Sequence, residues 1–114
     1  MSNGTNKLVE GFTKNAVLHS EGTKSGDHRK TNRAYRNINE IAQKMREHDP
    51  TLSHLVPLLH RDDDSVKLWA ASYLLKANSH SQEAIRVLHE LSKKEGLTAF
   101  DAEMTLKNWL EKSS

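Results

Sequence analysis

The spacing of the apolar residues constrains the fold of this chain more than any other feature, because they recur three and four positions apart along most of its length. The segment 65–77 shows the spacing most clearly, with apolar or aromatic side chains at Val66, Trp69, Ala70, Tyr73, Leu74 and Ala77. Such spacing gathers apolar side chains on one face of an α-helix. No stretch of four or more residues has the period-two alternation of a half-buried strand. The sequence therefore predicts an all-α protein.

Six helical segments are predicted, and they group into three pairs. The first two span about 6–20 and 27–47, the third and fourth span about 50–60 and 65–77, the fifth begins at 79 and ends before Gly96, and the sixth begins at 98. Short connections between successive helices favour antiparallel neighbours. We therefore expect one domain over 1–114, made of an N-terminal helix pair (5–48), a first hairpin (50–77) and a second hairpin (79–112).

Side chains that cap helices mark most of the predicted boundaries. A short polar side chain at the N-cap accepts a hydrogen bond from a backbone N–H of the first turn, and Pro is favoured at the first helical position. The candidates are Asp27, Asp49 followed by Pro50, the aspartates at 62–64, Ser79 with Gln82, and Thr98 with Asp101. The last two pairs have capping-box spacing. We expect Pro57 to kink the third helix or to convert its start into a 3₁₀ turn.

Composition excludes several classes of protein. The chain has 114 residues, of which 35% are hydrophobic, and it contains no Cys. Disulfide staples, thiol catalysis and Cys-type zinc sites are therefore excluded. No apolar run approaches the roughly 20 residues that cross a bilayer, and the first 25 residues have no apolar signal-peptide core. We therefore expect a cytoplasmic protein that does not interact with a membrane.

Positive charge is concentrated at the predicted start of the second helix. In residues 24–36, five basic side chains stand against one acid, Asp27, which gives a net charge of +4. Basic groups oppose the helix dipole at an N-terminus, so the cluster favours a binding surface over a stabilising role. A solvated helix start is the plainer interpretation.

The candidate partner-binding residues lie in this same stretch. They combine cations with polar groups and one aromatic side chain, Tyr35, and they are Lys24, Asp27, His28, Arg29, Lys30, Asn32, Arg33, Tyr35 and Arg36. Arg and Tyr are enriched among the residues that dominate protein interfaces. A phosphate backbone would also suit the cations, so a nucleic-acid-binding module is the alternative prediction.

Two parts of the chain resemble HEAT-like helical proteins. Residues 55–71 (LVPLLHRDDDSVKLWAA) resemble a HEAT-type repeat, which has a leucine-rich first helix, an Asp-bearing turn, then Val, a basic residue and an Ala-Ala pair. Residues 26–35 (GDHRKTNRAY), followed by Ile38 and Ile41, resemble the first half of a bacterial family of small HEAT-like domains of unknown function. This resemblance implies a right-handed stack of antiparallel helical hairpins without an established enzyme activity, and it supplies no catalytic residues.

The sequence lacks the motifs of common catalytic and metal sites. It contains no Gly-rich phosphate loop, no nucleophile elbow and no HExxH motif, and the run of aspartates at 62–64 lacks the ligand spacing of a calcium loop. We therefore expect a non-enzymatic protein-binding module without a cofactor or metal. Proteins of this kind also look like some immunity proteins that neutralise bacterial toxins, and by that analogy we expect a toxin as one possible partner.

The aromatic residues of the predicted helical stripes are expected to lie in the core. These are Trp69, Tyr73 and Trp109. If Trp69 is fully buried, its replacement by Ala should cost about 3–5 kcal/mol. His19 and His89, which lie beside apolar stripes, are expected to be partly buried.

Overall fold

The structure is a computed structural model that describes residues 3–113. It contains five α-helices, α1 (Asn3–Ser25), α2 (His28–His48), α3 (Asp64–Lys76), α4 (Ser81–Ser92) and α5 (Leu97–Ser113), and one 3₁₀ helix (Ser53–His60) between α2 and α3. No strand occurs among the described residues, and the prediction of an all-α fold with six helices is confirmed. Residues 1, 2 and 114 of the predicted domain lie outside the described range.

The first two helices form a close pair. α1 is longer than predicted, because it continues through Gly22 to Ser25 before Gly26 turns the chain with a positive φ of 74°. Two glycines of α1 face α2: a β-carbon at Gly11 would lie 3.0 Å from Ile41 Cδ1, and one at Gly22 would lie 2.4 Å from Thr31 Oγ1. The missing side chains therefore allow the two helices to approach closely.

α3 occupies the centre of the molecule. It contacts the 3₁₀ helix, α1, α4 and α5. Ala70, Ala71 and Leu74 on α3 are completely buried, in a core cluster that also includes Phe12 of α1 and Leu88 of α4. The contacts between the 3₁₀ helix and α3, and between α4 and α5, are consistent with a stack of helical hairpins.

The aspartates at 62–64 act at the start of α3. Asp63 is the N-cap, since its Oδ1 accepts hydrogen bonds from the backbone N–H groups of Ser65 (2.9 Å) and Val66 (3.1 Å). Asp64 accepts two 3.0 Å hydrogen bonds from Lys94 Nζ, which connects α3 to the chain after α4. The prediction that this run caps a helix is confirmed.

Other boundary predictions are wrong. Asp49 does not start a helix at Pro50: it follows α2, and its Oδ1 accepts hydrogen bonds from the backbone N–H (3.0 Å) and hydroxyl (2.6 Å) of Thr51. Its carboxylate therefore holds a turn. The 3₁₀ helix begins only at Ser53, after Leu52 with a positive φ of 53°.

The two predicted capping boxes do not form. α4 begins at Ser81, two residues after Ser79, whose hydroxyl hydrogen-bonds to the Nδ1 of His80 instead. α5 begins at Leu97, which places Thr98 inside the helix. Both shifts are local, since the helices still occupy the predicted segments.

None of the helices within residues 3–113 is both long enough and apolar enough to cross a lipid bilayer.

Candidate functional site

Three arginines of α2 form one exposed surface. Arg29, Arg33 and Arg36 stand four and three positions apart and so project from the same side of the helix, with Asn32 beside them. All four side chains are exposed, and with Tyr35 they line a shallow depression of about 490 Å³. We call Arg29, Asn32, Arg33 and Arg36 the basic face.

The other predicted site residues lie outside this depression. Asp27 is the N-cap of α2, because its Oδ1 accepts a 3.1 Å hydrogen bond from the backbone N–H of Lys30. The side chain of Lys30 pairs with Glu21 of α1 at 3.1 Å. Lys24 and His28 are exposed but do not line the depression. Four of the five cations therefore lie on α2, whereas Lys24 lies in the last turn of α1. Asp27 and Lys30 contribute to the α1–α2 connection.

A second surface lies beside the basic face. It is a groove of about 790 Å³ between α1, α2, α3 and α5, and we call it the aromatic groove. Its ring-bearing lining residues are His19, Tyr35, Trp69, Tyr73 and Trp109. Leu68, Leu75 and Met104 add apolar surface, and Lys76, Lys112 and Asp101 add charge.

Trp69 holds the centre of the ring cluster. Its ring centroid lies 5.0 Å from that of His19 in an edge-to-face arrangement, 6.0 Å from that of Tyr35 and 6.2 Å from that of Tyr73. These separations are within the range in which aromatic pairs stabilise each other. Trp69 and Trp109 pack against the core and remain partly exposed. The predicted core position therefore holds in part, since both residues pack against the core and also line the groove.

Tyr73 forms the buried end of the cluster. It is 4% exposed, packs edge-to-face on Phe12 at 5.7 Å, and donates a hydrogen bond from its hydroxyl to Asn39 Oδ1 of α2. Burial, with a smaller contribution from Tyr35, raises the pKa of Tyr73 to about 12. Lys76 Nζ lies 4.9 Å from the centre of its ring, within cation–π range. Tyr73 is thus fixed as a neutral wall of the groove.

His19 is the titratable ring of the groove. Burial lowers the pKa of its imidazole, and the nearby carboxylate of Asp101 partly offsets that effect. The neutral form is therefore favoured in the folded protein. His19 is partly buried as predicted, whereas His89 is exposed and the prediction for it is wrong.

Tyr35 joins the two surfaces. It is 50% exposed, lines both the depression beside the arginines and the aromatic groove, and contacts Trp69. The basic face and the aromatic groove are therefore adjacent parts of one continuous surface.

The sequence did not predict the aromatic groove. Its stripes show which side of each helix is apolar, but the groove forms only where four helices meet. One signal was present: Phe100 and Met104 of α5 are apolar, yet they lie off the stripe of Ala99, Ala102 and Leu106 that α5 buries. Apolar residues on a second helix face indicate a second contact.

Within residues 3–113, no group of three or more His, Asp or Glu side chains is placed to hold a metal ion. Comparisons with known protein families, curated proteins and solved structures found no match to the chain.

Proposed function

We propose that this chain is a non-enzymatic protein-binding module of the HEAT-like type. The combined basic face and aromatic groove form its binding surface. The observation that carries the proposal is the position of Tyr35, half-exposed between three arginines on one side and the ring cluster around Trp69 on the other. Trp, Tyr and Arg supply most of the energetically dominant residues at protein interfaces.

The rigidity of the surface supports this function. Every lining residue except Asn78 is on a helix, and Trp69 is held by contacts with three other rings. Large side chains that are already ordered lose little conformational entropy when a partner binds. A preformed surface of this kind suits binding without an accompanying reaction.

The proposed partners include bacterial toxins. This part of the proposal is based on the resemblance of the chain to HEAT-like and immunity-type proteins. Co-expression with the product of each neighbouring gene of the native host tests it. We expect one product that is toxic alone and harmless with this chain. Protection that survives Arg33→Glu/Arg36→Glu would place the toxin contact elsewhere.

Affinity purification from the native host tests the general function. We expect the tagged protein to retain one partner at a stoichiometric amount, and the Arg33→Glu/Arg36→Glu variant to lose it. Arg86→Glu is the matched control, because Arg86 is an exposed arginine on α4 outside both surfaces. Equal partner recovery with all three proteins, or no partner under conditions that preserve weak complexes, would contradict the proposal.

Nucleic-acid binding is the second candidate, and the single exposed face of three arginines favours it. A protein held by phosphate contacts loses affinity steeply as salt rises. Titration of labelled RNA and DNA from about 50 mM salt upward tests this candidate. If neither nucleic acid binds at the lowest salt concentration, or if added salt does not weaken the affinity, nucleic-acid binding through phosphate contacts is excluded.

A further inference from the structure

We infer that the partner presents an acidic segment with one large apolar side chain, which inserts into the aromatic groove while the flanking carboxylates contact the basic face. The inference rests on the proposed protein-binding function and specifies the chemistry of the partner. It concerns the aromatic groove, which the sequence did not predict.

The shape and lining of the groove argue for an inserted side chain. A volume of about 790 Å³ is within the range of pockets that enclose organic ligands, and it exceeds what one aromatic side chain needs. Trp69 and Trp109 offer partly exposed ring surfaces inside it, and Met104 offers a flexible thioether at 37% exposure. Methionine adapts to irregular apolar partners and packs well on aromatic rings.

The charge around the groove argues for an acidic segment. Arg29, Arg33 and Arg36 lie on the α2 side, and Lys76 and Lys112 line the groove itself. Among the described residues that line either surface, Asp101 is the only acid. Complementary charge increases the association rate and disfavours basic partners.

The exposed apolar residues of α5 extend the same surface. Leu97, Phe100 and Met104 are spaced three and four positions apart and are 61%, 58% and 37% exposed. Met104 belongs to the groove, so this stripe leads from the groove along the outside of α5. Adjacent exposed apolar side chains are typical of protein contact sites.

The arrangement favours a protein segment over a nucleic acid. Bases stack on open aromatic platforms, and a backbone needs cations along its path. Of the groove's own rings, Tyr35 is half-exposed, whereas Trp69 and Trp109 are only partly exposed and line the concavity together with Leu68 and Leu75. A side chain that projects from a protein backbone fits that concavity.

Tryptophan fluorescence provides a direct test, because both tryptophans of the chain line the groove. The probe is a synthetic twelve-residue peptide of Asp, Glu, Ser and Gly with one central Phe. We expect a saturable blue shift of the emission, as the peptide displaces water from the indole rings. A peptide with Ala in place of Phe and a peptide with Lys in place of Asp and Glu should each bind at least about tenfold more weakly.

Variants at exposed positions locate the contact without disturbing the core. Met104→Glu places a carboxylate in the groove and should weaken binding of the acidic peptide at least about tenfold. Leu110→Glu is its matched control, since Leu110 is exposed on the same helix and does not line the groove. Arg33→Glu/Arg36→Glu should weaken binding and reduce its salt dependence, whereas Arg86→Glu should change neither.

A selection from a random peptide library extends the test to sequences that were not designed. We expect the enriched peptides to be acidic around a large apolar residue. Enrichment of neutral or basic peptides, equal binding to the Met104→Glu variant, or no binding of any peptide would overturn the inference. The affinity purification described above tests the proposed function separately. A partner that the wild-type protein retains and the Arg33→Glu/Arg36→Glu variant loses would still identify a protein-binding module, even if the peptide tests fail. Preference for single-stranded RNA over every peptide would overturn both this inference and the proposed protein-binding function.

Discussion

Trp69 combines a structural role with an exposed surface. It packs against the core and lines the groove, and its ring partners His19, Tyr35 and Tyr73 come from α1, α2 and α3. The stripe of α3 predicted a core residue, and that prediction holds in part because Trp69 is only partly buried. A single residue therefore links the stability of the fold to the shape of the groove.

Replacement of Trp69 by Ala should cost less than the loss of a fully buried tryptophan. We expect a decrease of about 2 kcal/mol in the free energy of unfolding, below the roughly 3–5 kcal/mol of a sealed core site, because water already contacts part of the ring. Urea unfolding measures the change, and Leu74→Ala provides a fully buried reference on the same helix. A cost of 4 kcal/mol or more, on the order of a core Trp, would show that the groove is closed over the ring.

His19 should make stability depend on pH. Since burial lowers its pKa in the folded protein, the unfolded chain binds the proton more readily. Above the ordinary pKa near 6.5, protonation of His19 does not destabilise the protein. The free energy of unfolding decreases as the pH falls below that value towards the folded-state pKa. Urea midpoints from pH 8 to pH 5 should show a smaller decrease for His19→Gln than for the wild-type protein. His54→Gln, at an exposed position, is the matched control.

At the scale of elements, the missing side chain of Gly22 allows α1 and α2 to approach closely. A β-carbon there would lie 2.4 Å from Thr31 Oγ1 and 2.9 Å from the Thr31 backbone nitrogen. Gly22→Ala should therefore destabilise the protein by about 1–3 kcal/mol, although Ala is the better helix former. Gly4→Ala is the control, since no atom lies within 4 Å of its added carbon, and it should be neutral or slightly stabilising. Equal thermal midpoints for the two variants would mean that the helices can separate without cost.

The connection after α2 depends on the charge of Asp49. Hydrogen bonds from the hydroxyls of Ser53 and Thr51 hold the pKa of its carboxyl well below the ordinary value near 3.8. A lowered pKa stabilises the fold above that ordinary value, and the contribution is lost as the pH falls through the folded-state pKa. Asp49→Asn should cost about 1 kcal/mol at neutral pH and should reduce the loss of stability below pH 4. Asp62→Asn, at an exposed turn position, is the control for the cost at neutral pH, and it should leave the free energy of unfolding there nearly unchanged.

The existence of the helices was predictable, whereas several of their ends were not. Apolar spacing is a repeated signal, so one misleading residue does not erase it. A boundary depends on one or two side chains that have several uses: Asp49 fits an N-cap and a turn equally well by sequence, and Ser79 bonds to its neighbour His80 instead of capping α4. Gly22 resembled a helix end, but its distance of eleven residues from Gly11 places both on the face that contacts α2.

At the scale of the whole molecule, the proposed site forms only when several helices pack together. The basic face could be predicted because Arg29, Arg33 and Arg36 lie on one helix, where sequence spacing fixes their relative positions. The aromatic groove could not, because His19, Tyr35, Trp69 and Trp109 come from four helices, and helical spacing does not determine which stripes meet. α3 brings them together, since it contacts both α1 and α5.

The central position of α3 predicts one cooperative unfolding transition. Its contacts with α1, the 3₁₀ helix, α4 and α5 place both ends of the chain on one core, so the loss of α3 removes support from every part. Helicity measured by circular dichroism reports on all helices, whereas fluorescence of a Trp109→Phe variant reports on Trp69 alone. We expect the two urea transitions to coincide. If helicity fell in two steps, with Trp69 following only one of them, the N-terminal pair and the hairpins would be separate folding units, and a groove built between them would not be a preformed binding surface.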